Sequence, residues 1–235
     1  MFRSLALVVC LLALPLVRTA RADEAAIDEA TELAEQGIES YFDGRFSVAV
    51  VEIKAALARL GDEPAPAVRS RADYFAGRSC RELGLRGLAL HYLGRAERLT
   101  APEGKLWRAF AQREMLRIYF EAGEFSAVSQ LFWRFDKANQ PGEAAYLAGM
   151  ALAMEGRWKE ADKVLNDVPS TDPLAPYAEF LHAQARGASG DLTGAAKRLE
   201  RFERSPNLPP GLDDQARILR GKILYLLGRE KEGRK

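Results

Sequence analysis

Arginine and aromatic residues recur at helical spacing in the middle of the chain. Arg71, Arg78 and Arg81 are separated by seven and three residues, with Tyr74 between them. Arg113 and Arg117 stand four apart, flanked by Phe110 and Phe120, and Tyr146 and Met150 repeat the four-residue step. Steps of three, four and seven place side chains on one helix face. Each guanidinium offers a carboxylate a planar pair of hydrogen bonds, and arginine beside Tyr, Phe and Met is the mixture enriched where proteins bind one another. The chemistry implied is recognition of a protein or peptide that carries an acidic segment or a free C-terminus. The same pattern also has a purely architectural reading, with the aromatics as core and the arginines as a solvated stripe whose stems lie along apolar surface.

Catalytic chemistry has less to build on. The two histidines, His91 and His182, have no acid or cysteine at ligand spacing beside them, which argues against zinc or a nucleophile–base arrangement. No phosphate-cradling glycine loop is present. Gly187-Ala188-Ser189-Gly190 has no strand before it, as a nucleophile elbow would need. We predict no catalytic residue, no metal site and no cofactor. A formal net charge of +1 over 235 residues gives no general argument for nucleic acid, while 48% hydrophobic and 29% charged residues suit a folded, soluble chain.

The elements that must carry these residues are clearest from Ala144 to Val168, which reads as two short amphipathic helices joined at Gly156. Gly149 and Ala161 are small where the two helices approach, so we expect them to face one another. With Gly156 as a ruler, equivalent turns fall at Gly44, Gly84, Gly123, Gly190 and Gly228. Seven residues before the turns stand Gly37, Gly77, Leu116, Gly149, Ala183 and Gly221. Five after come Ala49, Ala89, Val128, Ala161 and Ala195; nine after come Ile53, Leu93, Phe132, Leu165 and Leu199. One helical pair cannot bury its own apolar face, so a periodic array is expected.

This order of small residue, turn, alanine and bulky apolar residue resembles the tetratricopeptide repeat (TPR) family, best in GIESYFDGRFSVAVVEIKAALA, GRSCRELGLRGLALHYLGRAE and GMALAMEGRWKEADKVLNDV. The third repeat departs at Leu116 and Val128. In the fifth, Arg186 stands at an apolar position, and its first helix is expected to end at Gly187. The resemblance implies an all-α fold, a right-handed α-solenoid of about five helix-turn-helix repeats plus a terminal helix from Asp214 to Leu227. It also implies a concave, peptide-binding groove lined by the first helices, on which Arg71, Tyr74, Arg78, Arg81, Phe110, Arg113, Arg117, Phe120, Tyr146 and Met150 would lie. Thr100-Ala101-Pro102-Glu103 has the spacing of a capping box.

The N-terminus differs in kind. A basic start, an apolar run from Leu5 to Val17 and the small-residue pattern Ala20-Arg21-Ala22 predict a signal peptide over residues 1–22, with the repeat domain over 23–235. The apolar run falls short of the roughly 20 residues that span a bilayer, so no membrane span is expected after cleavage. Cys10 would leave with the leader, and Cys80 would remain as a buried, unpaired thiol.

These features predict a non-catalytic, periplasmic scaffold for protein–protein interaction. A structural subunit of a secretion, motility or pilus assembly is the alternative. A third reading is a peptidoglycan-acting enzyme or its accessory, because Ile38-Glu39-Ser40-Tyr41-Phe42 faintly resembles the Glu-Ser pair of lytic transglycosylases; a glutamate in that role needs burial in a sugar cleft.

Overall fold

The computed structural model describes residues 24–61, 65–136, 140–205 and 208–233, and the predicted leader lies outside them. Among the described residues the regular structure is entirely helical. The first helix, α1, spans 24–42. There follow α2 (Phe46–Leu60), α3 (Pro66–Glu82), α4 (Arg86–Arg98), a single 3-10 turn (Pro102–Gly104) and α5 (Lys105–Glu121). The remainder comprises α6 (Phe125–Phe132), α7 (Gly142–Met154), α8 (Trp158–Leu165), α9 (Ala175–Ala188), α10 (Leu192–Glu203), α11 (Leu212–Leu226) and α12 (Glu230–Gly233). The chain is an all-α helical-repeat solenoid by class. It divides into two compact units, one ending at Met115 and the other starting at Leu116, within α5.

All six turn glycines adopt the left-handed backbone conformation, with φ between 70° and 98°. Each closes a Schellman motif. At Gly44, the amide of Arg45 donates to the Ser40 carbonyl at 2.8 Å and that of Gly44 to the Tyr41 carbonyl at 3.0 Å. Arg157 to Leu152 and Gly156 to Ala153 repeat the pattern at 2.9 and 3.0 Å. A side chain is disfavoured at such a φ, so glycine here both ends the first helix and reverses the chain. The second helix then begins two residues later, at Phe46, Arg86, Phe125, Trp158, Leu192 and Glu230.

The small residues before the turns let the two helices of a pair approach. A Cβ on Gly37 would lie 2.5 Å from Ile53 Cγ1, one on Gly77 would lie 2.6 Å from Leu93 Cγ, and one on Gly149 would lie 2.5 Å from Leu165 Cδ2. The slot is therefore filled by the bulky residue nine after the turn. The nearest atoms to Gly149 belong to Leu165, in place of the expected Ala161. Ala49, Ala89, Val128, Ala161 and Ala195 are fully buried beneath that contact. Each buried Ile or Leu of this kind contributes roughly 1.5–3 kcal/mol.

Three local expectations are corrected. The capping box at Thr100 does not form: Ala101 is the N-cap of the 3-10 turn and no side chain caps it. Proline at the first position and the short Pro102–Gly104 turn satisfy that end instead. The first helix of the fifth repeat runs through Gly187 to Ala188, because Arg186 turns outward to Asp191, 3.1 Å away. The last long helix spans Leu212–Leu226, with Gly211 in a left-handed conformation before it.

Candidate functional site

In the first compact unit the ends of α1 and α2 and the faces of α3 and α5 bring seven rings together. Phe42 meets Phe75 at 5.6 Å between ring centroids, Phe75 meets Trp107 at 5.6 Å, and Trp107 meets Phe110 at 5.7 Å. Tyr41 joins Phe42, Phe46 and Phe75 at 5.3–5.6 Å, and Tyr74 joins Phe75, Trp107 and Phe110 at 5.1–5.8 Å. Most of these contacts are edge-on or tilted, the arrangement aromatic quadrupoles favour. Tyr74 and Phe75 are buried beneath the cluster, whereas Phe42 is 73% exposed. Burial raises the Tyr41 phenol above its ordinary pKa, against the opposing pull of Arg78.

The arginines lie across these rings. Arg71 sits 5.7 Å from the Trp107 centroid, and Arg78 sits 5.5 Å from that of Tyr41 and 6.0 Å from that of Tyr74. Arg78 also donates to the Tyr74 hydroxyl at 3.1 Å. Their charges are met inside the chain. Arg71 grips both carboxylate oxygens of Glu35 on α1. Glu114 on α5, itself buried, lies 2.5 Å from Arg81 and 3.6 Å from Arg78. The side chains expected to await a partner's carboxylate thus already hold carboxylates of neighbouring repeats.

The second compact unit has its own set. Arg117 donates from Nε and Nη2 to the two oxygens of Glu143 at 2.6 and 2.7 Å, tying α5 to α7. Phe120 packs on Phe125 at 5.7 Å. Tyr146 and Met150 are half-buried on α7, and burial raises the Tyr146 phenol. The predicted residues therefore fall into two groups: Arg71, Tyr74, Arg78, Arg81, Phe110 and Arg113 in one unit, and Arg117, Phe120, Tyr146 and Met150 in the other.

Sequence reasoning missed the acids and five of the seven rings. Glu35 and Glu114 were findable, since both stand nine residues before a turn glycine, Gly44 and Gly123. Trp107, Phe75, Tyr41 and Phe42 sit at helical steps near residues already singled out. Glu39 of the transglycosylase-like segment is exposed, and Ser40 is buried and donates to Glu52 at 2.7 Å. His182 is buried against Asp162, a partner from the preceding repeat that no local spacing reveals. Burial lowers its pKa, Arg198 adds to that, and Asp162 opposes. Asp73 is also buried. Arg95 Nε approaches it at 3.3 Å, yet its oxygens accept no hydrogen bond, and burial pushes its pKa up to about 6. Cys80 is a buried thiol whose pKa burial raises, which makes it unreactive. Among the described residues no group of three or more His, Cys, Asp or Glu could hold a metal ion, and no helix is long and apolar enough to cross a membrane.

No family profile matches the sequence, and no curated protein matches it. Among solved structures, a thermophilic TPR protein of Thermus thermophilus is similar over 83% of this chain and 99% of its own, at 18% identity and a TM-score of 0.39. The repeat assignment rests on the chain's own Schellman turns and filled glycine slots.

Proposed function

We propose that the chain is a non-catalytic TPR-type adaptor that holds a protein or an extended peptide on the first-helix face of α1, α3 and α5. The observation that carries this reading is the ring cluster of Tyr41, Phe42, Phe46, Tyr74, Phe75, Trp107 and Phe110, with Phe42 standing out into solvent. A large exposed ring that continues into a packed aromatic cluster is what an interface anchor requires. An acidic partner would have to displace Glu35 or Glu114 from guanidiniums already paired. The partner therefore offers apolar or aromatic side chains first, and the acidic preference drawn from spacing gives way. Export is part of the proposal and rests on the leader at residues 1–22; a processed protein beginning at Asp23 is the expected N-terminus, and retention of Met1 would exclude it.

The binding reading is tested by placing a photo-crosslinking phenylalanine analogue at position 42 in the native host, with a second at the exposed Lys159 of α8 as control. A discrete adduct from position 42 and none from position 159 is expected. No adduct, or the same adduct from both positions, would overturn the assignment of this face.

A further inference from the structure

We infer that the partner segment received beside Phe42 is basic and amphipathic, with its cationic side chains set against Glu39 and Glu82 and its apolar ones against Phe42, Leu83 and Leu85. The inference rests on the docking face proposed above and adds the charge of what docks there. The second glycine turn supplies the apolar part. Leu83 and Leu85 stand immediately before and after Gly84, Leu88 follows on α4, and all three are 40–49% exposed. The places on either side of Gly123, Gly156 and Gly190 are held instead by Ala122 and Glu124, Glu155 and Arg157, and Ser189 and Asp191. Gly84 is an interior turn with helical pairs before and after it, so the exposure of its leucines does not depend on where the chain begins or ends. Leucines grouped on the surface where sister repeats place small or polar residues mark a contact edge.

The end of α3 that carries Glu82 and Leu83 lies beside the rings. Phe75 of α3 meets Tyr41 at 5.3 Å and Phe42 at 5.6 Å between centroids. Burial is the main influence on the Tyr41 phenol; Arg78 then lowers its pKa and Glu82 raises it, so Glu82 stands within electrostatic reach of that ring. Glu39 is exposed and precedes Phe42 by three residues, which puts both on one face of α1. Among the described residues neither carboxylate has an ion-pair or hydrogen-bond partner. The cations nearby are already engaged: Arg78 and Arg81 meet the buried Glu114, and Arg45 meets Asp43 at 3.0 Å. The charge left open around the exposed ring is therefore negative.

An arginine or lysine gains twice at this edge. Its cation can lie on the open face of Phe42, and its N–H groups can donate to Glu39 or Glu82. An acidic side chain meets only like charge, and an anionic lipid surface is repelled for the same reason. Exposed carboxylates are screened by salt, so attachment weakens as ionic strength rises, chiefly through slower association.

The test uses the photo-crosslinking phenylalanine analogue at position 42 in the native host. The cross-linked segment of the partner is sequenced by mass spectrometry, and the experiment is repeated with Glu39→Lys and Glu82→Lys combined. Both positions are exposed, so the double variant should keep its helicity; Glu39→Gln with Glu82→Gln replaces it otherwise. The expected segment carries net positive charge with interspersed apolar residues, and the double reversal should cut the adduct at least about tenfold. The purified chain should not sediment with phosphatidylglycerol vesicles. A neutral or acidic segment, or an adduct that the reversal leaves unchanged, would overturn the basic partner while the docking face stands. Sedimentation with the vesicles would assign the edge to a membrane surface instead, and the absence of any adduct at position 42 would overturn the face itself and this inference with it.

Discussion

Gly149 and Leu165 meet so closely that the leucine's Cγ and Cδ2 occupy the space a Cβ on the glycine would need, at 2.5 Å. Gly37 and Ile53, and Gly77 and Leu93, stand in the same relation. Alanine at position 37, 77 or 149 must therefore push a packed helix outward, and each change should cost on the order of 1–3 kcal/mol. At position 37 the obstruction includes the Ile53 amide at 3.0 Å, which cannot swing aside, so Gly37→Ala should sit at the upper end. Gly221→Ala is the internal control. Its site is open, and alanine favours a helix by about 1 kcal/mol over glycine, so the melting temperature should hold or rise. Thermal melts of the four variants followed by circular dichroism decide the matter.

Glu114 and Glu35 should differ sharply when removed. Glu114 is buried between Arg78 and Arg81, whereas the Arg71–Glu35 pair is substantially exposed. Losing a buried partner strands charge away from water, while an exposed pair contributes little. We expect Glu114→Ala to cost about 2 kcal/mol or more and Glu35→Ala to cost less than about 1 kcal/mol. Urea midpoints, compared at low and high salt, would reverse this ranking if the buried assignment were wrong.

Asp73 makes the first compact unit less stable as pH rises. Its folded pKa of about 6 exceeds the ordinary 3.8, so the folded state holds the proton more tightly between those values. The favourable contribution is complete below about pH 4 and is lost as pH climbs through 6, by on the order of 3 kcal/mol at most. Asp73→Asn removes that slope. The stability of the variant relative to wild type should rise between pH 4 and pH 7, and a difference independent of pH would refute the buried, undercompensated carboxylate.

His182 acts with the opposite sign in the second unit. Burial holds its folded pKa below the ordinary 6.5, so the folded state binds the proton less readily. Stability is full above pH 6.5 and falls as the pH drops through the folded pKa. Amide protection in α8 and α9, taken relative to an unstructured peptide at the same pH, should therefore fall as the pH drops below 6.5, and His182→Gln should flatten that response. Proton NMR of the imidazole gives an independent reading: a titration midpoint above the ordinary 6.5 would contradict burial as the dominant influence.

The fold was legible because its signals are local and repeated. Six glycines needed for a left-handed φ, and a small residue seven before most of them, mark each pair of helices within one stretch of chain. The pairing of Arg71, Arg78, Arg81 and Arg117 with Glu35, Glu114 and Glu143 was not legible. Those partners lie 26 to 36 residues away, and which acid meets which arginine depends on the rotation between successive repeats. Tyr74 illustrates the same difficulty: its spacing put it beside the arginines, while its ring turned inward to Trp107 and Phe110. Asp162 beside His182 was invisible for the same reason, since a neighbour across repeats leaves no mark on local periodicity.

The filled glycine slots also govern how the chain is built in time. Each joins residues 16 positions apart, from 37 to 53, from 77 to 93 and from 149 to 165. Contacts this short in sequence carry a small loop-closure cost and correspond to fast folding. A nascent chain can therefore bring these helices together in transient hairpins as each second helix leaves the ribosome, and the following repeat then covers the apolar face that one pair leaves open.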